Sequence, residues 1–196
     1  MTPALNFCSV CGHPITLRVP LGDNRNRAVC DSCGAIHYVN PKLVVGTIPV
    51  WRDQVLLCRR AIEPRRNYWT LPAGFLEAGE GTADGAARET DEEAGARIVI
   101  GPLFTMLDVV HVHQVHLFYL AELVDAEFAP GEESLEVQLF AEADIPWDDL
   151  AFRTVSTTLR HFFDDRVRGR FELHTESIDW PTRPLASAAA TVATPS

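Results

Sequence analysis

Apolar runs in the middle of the chain predict a series of strands. The segments 43–50 and 54–58 are typical of two strands, and Trp51-Arg52-Asp53 between them is typical of a turn. A shorter strand is predicted at 69–71, where the chain enters the Pro72-Ala73-Gly74 turn. Further strands are predicted at 97–100, 103–110, 114–123 and 136–140.

Two segments instead show a helical pattern. The first spans 82–94: Thr82 can cap its start, Asp84 suits its first turn, and Gly95 can close its end. The second spans 154–167, and we expect its apolar face to pack on the sheet. The apolar positions of this second helix are Val155, Leu159, Phe162 and Phe163, and Gly169 is expected to end it.

The chain is expected to divide into two unequal domains and a tail. Its 196 residues exceed the usual size of one domain, and the extended bias of Asn40 before Pro41 places a boundary after residue 39. We therefore predict a small domain at 1–39 and a larger domain at 40–184. Residues 185–196 are mostly Ala, Ser and Thr with little to bury, so a disordered tail is expected there.

Composition and charge narrow the classes of function. Hydrophobic residues make up 46% of the chain and charged residues 22%, which is ordinary for a globular protein with a packed core. The net charge of -10 and the pI near 5.1 disfavour a nucleic-acid binder and suit a bound divalent cation. No stretch approaches the length of a membrane span and residues 1–7 lack a signal pattern, so we expect a cytoplasmic protein without membrane contact.

Four of the five cysteines form two close pairs near the start of the chain. Cys8-Ser-Val-Cys11-Gly12 and Cys30-Asp-Ser-Cys33-Gly34 have the spacing of a zinc site built from four thiolates. The glycine after each pair permits a left-handed backbone, which the turn around the metal requires. The spacing predicts a structural zinc ribbon whose fold depends on the metal. The fifth cysteine, Cys58, lies in an apolar run and is expected to be buried.

Nucleic-acid binding is an alternative for this ribbon. Arg18, Arg25 and Arg27 lie between the two cysteine pairs and could contact phosphates. A few arginines on a ribbon are more often solvated or in contact with a neighbouring domain, and the acidic total favours that interpretation. His13 and His37 lie near the pairs, but four cysteines already complete a tetrahedron, so packing or surface positions are expected for both.

The predicted helix at 82–94 carries the chemistry. Glu89, Glu92 and Glu93 stand at i, i+3 and i+4 and therefore share one face. Neighbouring carboxylates repel by about 4 kcal/mol at roughly 4 Å and an effective dielectric of 20, so a partly buried cluster needs compensation. Mg²⁺ or Mn²⁺, which prefer oxygen ligands and can bridge substrate phosphates, would supply it. A solvated acidic face is the alternative, but it leaves the surrounding pattern unexplained.

That surrounding pattern resembles the Nudix signature at every charged and glycine position. Gly74, Glu80, Arg88-Glu89, Glu92-Glu93 and Gly95 all stand at the offsets of the signature. Thr90 and Ala96 occupy positions that larger aliphatic residues usually hold, which concerns helix packing rather than catalysis. The resemblance implies an α/β (α+β) fold, the Nudix α/β/α sandwich with a mixed sheet, here preceded by the small four-cysteine zinc ribbon.

The resemblance also implies roles for the matching residues. Glu89, Glu92 and Glu93 would bind the catalytic Mg²⁺ or Mn²⁺, with the Ala73 carbonyl as an additional ligand. Arg88 and Glu80 would form an orienting ion pair.

A further carboxylate must accept a proton from the attacking water. Glu136 is the first candidate, because it is predicted to precede a short strand at the place where related enzymes supply a loop glutamate. Glu133 is the second candidate. Ordinary solvated acids in a loop are the alternative for both.

Similarity beyond the signature indicates a subfamily. The chain resembles the zinc-ribbon Nudix subfamily that includes plant-type ADP-ribose/FAD pyrophosphatases. The matching segments include Asn40-Pro41-Lys42, Leu56-Leu57-Cys58-Arg59-Arg60, Trp69-Thr70-Leu71-Pro72-Ala73-Gly74 and Pro130-Gly131-Glu132-Glu133-Ser134-Leu135-Glu136. This likeness implies hydrolysis of a nucleoside diphosphate linked to another group, ADP-ribose or FAD, with release of AMP.

Two substrate markers are missing from the sequence. No Ser-Gln-Pro-Trp-Pro-Phe-Pro-like stretch of the NADH pyrophosphatases follows the signature, and Val110 and His111 stand where many ADP-ribose enzymes have a proline. NADH or another nucleotide therefore stays open as the substrate.

Several residues outside the signature are candidates for substrate contact. Arg59, Arg65, Tyr68 and Trp69 could hold phosphates and stack on a base or ring. Arg60 and Arg66 are their neighbours, and we expect at least two of these four arginines to be ordinary surface charges. His111, His113 and His116 suggest a metal cluster, but strand alternation would put only the first two on one face, so pocket-lining or surface positions are favoured.

Another class of function is a non-catalytic Nudix sensor that binds a nucleotide and acts on a partner through the ribbon. Degeneration of Arg88 or of the signature glutamates would favour it, and none of them is degenerate. The expected partner is a nucleotide-type small molecule, without nucleic acid or membrane. Related pyrophosphatases commonly form homodimers, which leaves a homodimer open for this chain.

Overall fold

The cysteine-rich segment folds as a small antiparallel sheet. The computed structural model describes residues 5–178. Its first strands are β1 (Ile15–Arg18), β2 (Arg27–Cys30) and β3 (Ile36–His37), and they form a sheet in the order β1-β2-β3. The side chains buried in this segment include only small ones, such as Cys8, Ala28 and Val29. Because so small a core contributes little to the stability of the folded segment, the fold depends on the metal that the cysteines bind.

A mixed sheet of eight strands forms the body of the described chain. The strands are β4 (Lys42–Trp51), β5 (Gln54–Arg60), β6 (Trp69–Thr70), β7 (Ala73–Phe75), β8 (Ile98–Val109), β9 (Gln114–Leu123), β10 (Ser134–Phe140) and β11 (His174–Ser177). Their order is β10-β5-β4-β9-β8-β11, with β6 paired to β5 and β7 paired to β4. β4 runs parallel to β9, and β11 runs parallel to β8. The other pairs are antiparallel, as the prediction of a mixed sheet requires.

Helices cover both faces of this sheet. They are α1 (Thr82–Ala94) and α2 (Arg153–Arg168). Adjacent residues of a strand point to opposite faces, and Leu57 packs with the apolar face of α2 whereas Leu56 packs with the end of α1. The fold is therefore the predicted α/β/α sandwich. No helix among residues 5–178 is long and apolar enough to cross a membrane.

Both predicted helices are confirmed, and each ends at the predicted glycine. Gly95 and Gly169 have left-handed φ angles of 56° and 68°. The prediction that Thr82 caps α1 was wrong, because Gly81 holds the N-cap position. The Thr82 hydroxyl instead lies 2.6 Å from the Tyr119 hydroxyl, so a tertiary partner takes the group that would have capped the helix.

The strand predictions differ from the structure at three places. Ala73 and Gly74, predicted as part of a turn, lie in β7, which pairs with β4. The strands predicted at 97–100 and 103–110 are one strand, β8, whose register is irregular between Ile100 and Leu103. β11 was not predicted, because its four residues, His-Thr-Glu-Ser, show no hydrophobic pattern. Cys58 is buried as expected. The tail predicted at 185–196 lies outside the described residues.

Candidate active site

The three glutamates of α1 do not have equal surroundings. Glu89 and Glu93 are buried, with 8% and 6% of their surface exposed, and they stand one turn apart on the face of α1 that meets β7. Glu92 lies at the rim, where 58% of its side chain is exposed. The three glutamates therefore share one face of the helix, as the spacing predicts, but two of them are buried and the third is exposed.

The backbone of β7 lies directly against the two buried carboxylates. The Ala73 N–H donates a hydrogen bond to Glu93 Oε2 at 3.2 Å. A Cβ at Gly74 would overlap the Glu89 carboxylate, so a larger residue there would push that carboxylate out of its position. Whether the Ala73 carbonyl also serves as a ligand stays a prediction.

Burial disfavours the ionised form of both carboxylates. It raises the pKa of Glu93 to about 8, and repulsion from Glu89 adds to the rise. Burial also raises the pKa of Glu89, against the opposing effect of Arg88. A hard divalent cation next to both oxygens would restore their ionised form, because oxygen ligands are those that such ions prefer. The donor set therefore fits such an ion.

Arg88 joins the acidic helix to the preceding loop, as the predicted ion pair requires. Its guanidinium lies 2.7 Å and 3.0 Å from the two oxygens of Glu80, and it also contacts Glu89 at 2.8 Å and Glu92 at 3.0 Å. A further hydrogen bond of 3.2 Å reaches the Phe75 carbonyl on β7. The hydrogen bond from Arg88 holds the pKa of Glu80 down at about 2. One planar side chain thus fixes helix, loop and strand together.

The two candidate bases occupy different places. Glu133 lines the open cleft, and its charge contributes to the raised pKa of both Glu89 and Glu93. Glu136 lies inside β10 rather than before it, and its carboxylate pairs with Arg59 at 3.5 Å. The boundary that made Glu136 the first candidate was wrong, because β10 begins at Ser134 and has an irregular register between Ser134 and Glu136.

The loop that carries Glu133 is fastened to the end of α1. The Gly131 N–H donates to the Glu93 carbonyl at 3.1 Å, and the Ala129 N–H donates to the Ala94 carbonyl at 2.8 Å. A Cβ at Gly131 would overlap the Glu92 carbonyl oxygen, so the two backbones meet without a side chain between them. This contact fixes the distance between the loop acid and the helix acids.

A cleft of about 1380 Å³ opens over this floor. Of the predicted substrate contacts, Arg65 and Tyr68 line it, and so does Arg60. Arg59 and Trp69 are not among the lining residues. Trp69 packs edge-on against Phe140 in the core, with ring centroids 4.9 Å apart. Core packing is therefore the better interpretation of Trp69.

The cleft also contains an aromatic residue that sequence reasoning missed. Phe152, at the start of α2, lines the cleft with Trp147, and the Arg60 guanidinium lies 5.2 Å from the Phe152 ring centroid. Arg65 lies 5.3 Å from the Tyr68 ring in the same way. No sequence pattern indicated this position, because Phe152 is far from the signature along the chain and only the fold brings the start of α2 to the cleft.

The strand-alternation argument for the histidines was wrong. Residues Val110–Val112 form a 3-10 turn, and His113 follows with a left-handed φ of 56°, so neither His111 nor His113 lies in a strand. His111 and His116 line the cleft, whereas His113 is exposed outside it. The three histidines therefore occupy the favoured positions, two lining the pocket and one on the surface.

The four cysteines of the ribbon converge on one point. Their sulfurs all lie within 4.8 Å of one another, with Cys8 and Cys33 at 3.7 Å and Cys11 and Cys30 at 3.4 Å. A tetrahedral zinc with Zn–S bonds of about 2.3 Å needs sulfurs roughly 3.8 Å apart. Gly12 and Gly34 both have a φ of 75°, the left-handed backbone predicted for each turn. His37 Nε2 lies 3.3 Å from the Cys8 sulfur, so it supports a ligand rather than replacing one.

Comparison with known proteins identifies the family. Residues 6–39 match the Nudix N-terminal zinc-ribbon family and residues 40–173 match the NUDIX domain family. The chain therefore belongs to the Nudix hydrolase family.

The chain is similar to proteins with two different names. The NAD-capped RNA hydrolase NudC of Photobacterium profundum is 30% identical over 140 residues, which are 70% of this chain and 50% of that protein. The ADP-ribose pyrophosphatase of Methanocaldococcus jannaschii is 25% identical over 116 residues, which are 56% of this chain and 67% of that protein. The chain thus spans about half the length of the NudC relative.

A solved structure resembles nearly the whole described fold. The crystal structure of a NUDIX hydrolase from Nitrosomonas europaea is 48% identical, with a TM-score of 0.87. The match covers 90% of this chain and 100% of that one.

Proposed function

We propose that the chain is a Mg²⁺- or Mn²⁺-dependent pyrophosphatase that hydrolyses a nucleoside diphosphate linked to another group. The observation that carries this proposal is the pair of buried carboxylates, Glu89 and Glu93, on the floor of an open cleft. Two acids in such surroundings oppose each other unless a cation binds. The family membership of the chain supports the same chemistry.

The residues of the cleft would have different roles in this reaction. Glu89, Glu92 and Glu93 would hold the cation, with the Ala73 carbonyl as an additional ligand. When bound, the cation would neutralise charge that develops on the diphosphate and lower the pKa of water. Arg60 and Arg65 face the same space and would bind phosphate oxygens, while Tyr68 and Phe152 offer ring faces to a base.

Glu133 is our choice for the general base. It lines the cleft beside the buried acids, whereas Glu136 is engaged with Arg59 on β10. In the proposed step, a water oxygen attacks phosphorus, the bridging P–O bond breaks, and the water proton passes to the Glu133 carboxylate. AMP and the phosphorylated second group are the products.

ADP-ribose or FAD is the proposed substrate, and NAD-type dinucleotides are a second candidate. The ADP-ribose pyrophosphatase relative supports the first and the NudC relative supports the second. The same NudC similarity makes capped RNA a partner to test, against our expectation that nucleic acid does not bind. All these compounds share an AMP unit joined through a diphosphate to a second group.

The test is a product assay with Mg²⁺ or Mn²⁺ across ADP-ribose, FAD, NADH, NAD-capped RNA, diadenosine polyphosphates and nucleoside triphosphates. We expect one dinucleotide-like compound to release AMP, or NAD-capped RNA to yield RNA that begins with a 5′-monophosphate. No product should form after the metal is chelated. Binding of a nucleotide without cleavage would instead support the sensor alternative. If neither ion gave binding heat or cleavage of any compound, the proposal would be overturned.

A further inference from the structure

The cleft extends beyond the buried carboxylates in two directions. Arg60, Arg65 and Tyr68 lie toward β5 and β10. On the other side the cleft reaches β9 and β8, and we call that part the histidine end. It is lined by Val44, Val109, His111, Val112, Gln114, His116 and Ile178.

Strand register gives the distance between the histidine end and the carboxylates. On β4, Val44 stands opposite Phe75 of β7 on one side and opposite His116 of β9 on the other. Neighbouring strands are about 4.8 Å apart, so the backbones of Phe75 and His116 lie about 10 Å apart. Gly74, next to Phe75, touches the Glu89 carboxylate. The histidine end is therefore about one sugar or base away from where the proposed function places the diphosphate.

The His116 ring offers a hydrogen-bond acceptor to this space. Its Nε2 lies 2.9 Å from Gln114 Oε1, and because an amide oxygen accepts, Nε2 carries the proton. The other ring nitrogen, Nδ1, then has a free lone pair. No hydrogen bond to Nδ1 occurs among residues 5–178.

Apolar side chains lie beside this ring at the histidine end. Burial lowers the pKa of His116 to about 4, so the imidazole is neutral at physiological pH. Val44, Val109, Val112 and Ile178 supply the apolar surface of the histidine end, and His111 and Arg153 also line the cleft. A neutral acceptor of this kind favours an uncharged donor, because it offers a phosphate oxygen neither a proton nor a positive charge.

We propose that the histidine end binds the substrate arm beyond the diphosphate, with His116 Nδ1 accepting a hydrogen bond from an uncharged donor on that arm. A sugar hydroxyl and a carboxamide N–H share this chemistry. The proposal rests on the proposed function for the position of the diphosphate. It restricts the substrate class to nucleoside diphosphates whose second group is an uncharged sugar or nucleoside, rather than a further phosphate.

The test compares binding of three compounds by calorimetry at pH 7.5, with Ca²⁺ as the oxygen-bound cation. They are ADP-ribose, NADH and the plain propyl ester of ADP, which has no donor on its arm. His116→Phe removes both ring nitrogens, and we expect it to weaken ADP-ribose about 3- to 10-fold while leaving the propyl ester unchanged. His116→Asn keeps an acceptor near the place of Nδ1 and is expected to restore affinity to within about 2-fold.

The two sources of the donor separate in the same experiment. Equal losses for ADP-ribose and NADH indicate a ribose hydroxyl, which both carry, and a loss for NADH alone indicates its carboxamide. Equal losses for all three compounds, no loss for any, or no binding by the wild type would overturn the proposal. His116→Leu serves if the Phe variant fails a thermal unfolding check. Binding that shows this pattern without any turnover in Mg²⁺ or Mn²⁺ would contradict the proposed function and leave the subsite assignment standing.

Discussion

The zinc ribbon and the acidic helix both crowd groups that repel each other when ionised, yet they depend on a cation differently. In the ribbon, four sulfurs meet within 4.8 Å and little apolar surface is buried around them. In the sandwich, α1 and α2 pack on a sheet whose core includes Phe104, Phe118 and Leu159. The comparison indicates that a structural site can be closed around its metal, whereas a reactive site needs a scaffold that holds repelling acids without one.

The largest effect is expected from breaking the ribbon. Cys30→Ser should abolish zinc binding and unfold residues 6–39, because metal binding worth about 10 to 16 kcal/mol stabilises such a site. Elemental analysis would measure the zinc, and amide NMR would report the ribbon. Trp51, Trp69 and Trp147 lie in the sandwich, so tryptophan fluorescence should still show its cooperative unfolding.

Cys58→Ala is the matched control, since that cysteine is buried in the sandwich. It should keep one zinc per chain. Full zinc content in Cys30→Ser would refute the assignment of the four-cysteine site.

The second effect separates folding from chemistry on the acidic helix. Glu93→Gln should lower kcat by about 10²- to 10³-fold, because it removes a ligand charge from the cation site. The thermal midpoint of the metal-free protein should not fall, since a buried, repelled carboxylate is removed. Asp91→Asn, an exposed change on the same helix, is the control and should leave both quantities unchanged. A fall in midpoint comparable to that of a core deletion would contradict this division of roles.

The third effect decides between the two loop acids. Glu133→Gln should reduce kcat by about 10²-fold, the lower range for a general base, and should remove the acidic limb of the pH-rate profile. Glu136→Gln should change kcat less than about 3-fold, because its partner Arg59 lies outside the cleft. Steady-state kinetics of both variants with one substrate would test this pair. The reverse order of effects would restore Glu136 as the base.

The smallest effect is a pH dependence of the sandwich alone. Burial lowers the pKa of His116 in the folded chain from 6.5 to about 4. Between these two values the imidazole is protonated in the unfolded chain but neutral in the folded chain. Stability should fall between pH 6.5 and 4 and level off below, by about 1 to 2 kcal/mol after allowance for partial exposure. Urea unfolding followed by tryptophan fluorescence at pH 7 and pH 5 should show the loss in the wild type but less of it in His116→Asn. Parallel curves for the two proteins would exclude His116 as the source.

Much of the site could be predicted because its signals are local in the sequence. Each cysteine pair and the face shared by Glu89 and Glu93 depend on spacings within one turn or one helix, and the ion pair of Arg88 with Glu80 was implied by the resemblance to the Nudix signature. Such spacings fix geometry without knowledge of the rest of the fold.

The remainder depends on strand register and long-range packing, which spacing does not encode. Glu136 and Glu133 are three residues apart, and only the irregular start of β10 places one in the strand and the other in the cleft. Trp69 and Phe152 were misjudged or missed for the same reason: the fold turns Trp69 into the core and brings Phe152 to the cleft. β11, a polar strand, exists because β8 offers it an edge.

The contact of Gly131 with the backbone of α1 also constrains how this chain can be re-engineered. Residues 124–128 connect β9 to that contact, and within them Ala126 and Glu127 are exposed whereas Phe128 packs on the core, so we expect inserted residues to be tolerated best between 126 and 127. Between 129 and 133 a single added residue would move the proposed base by a full step along the backbone, about 3.5 Å. Libraries aimed at new substrates should therefore vary the histidine end and leave residues 129–133 unchanged.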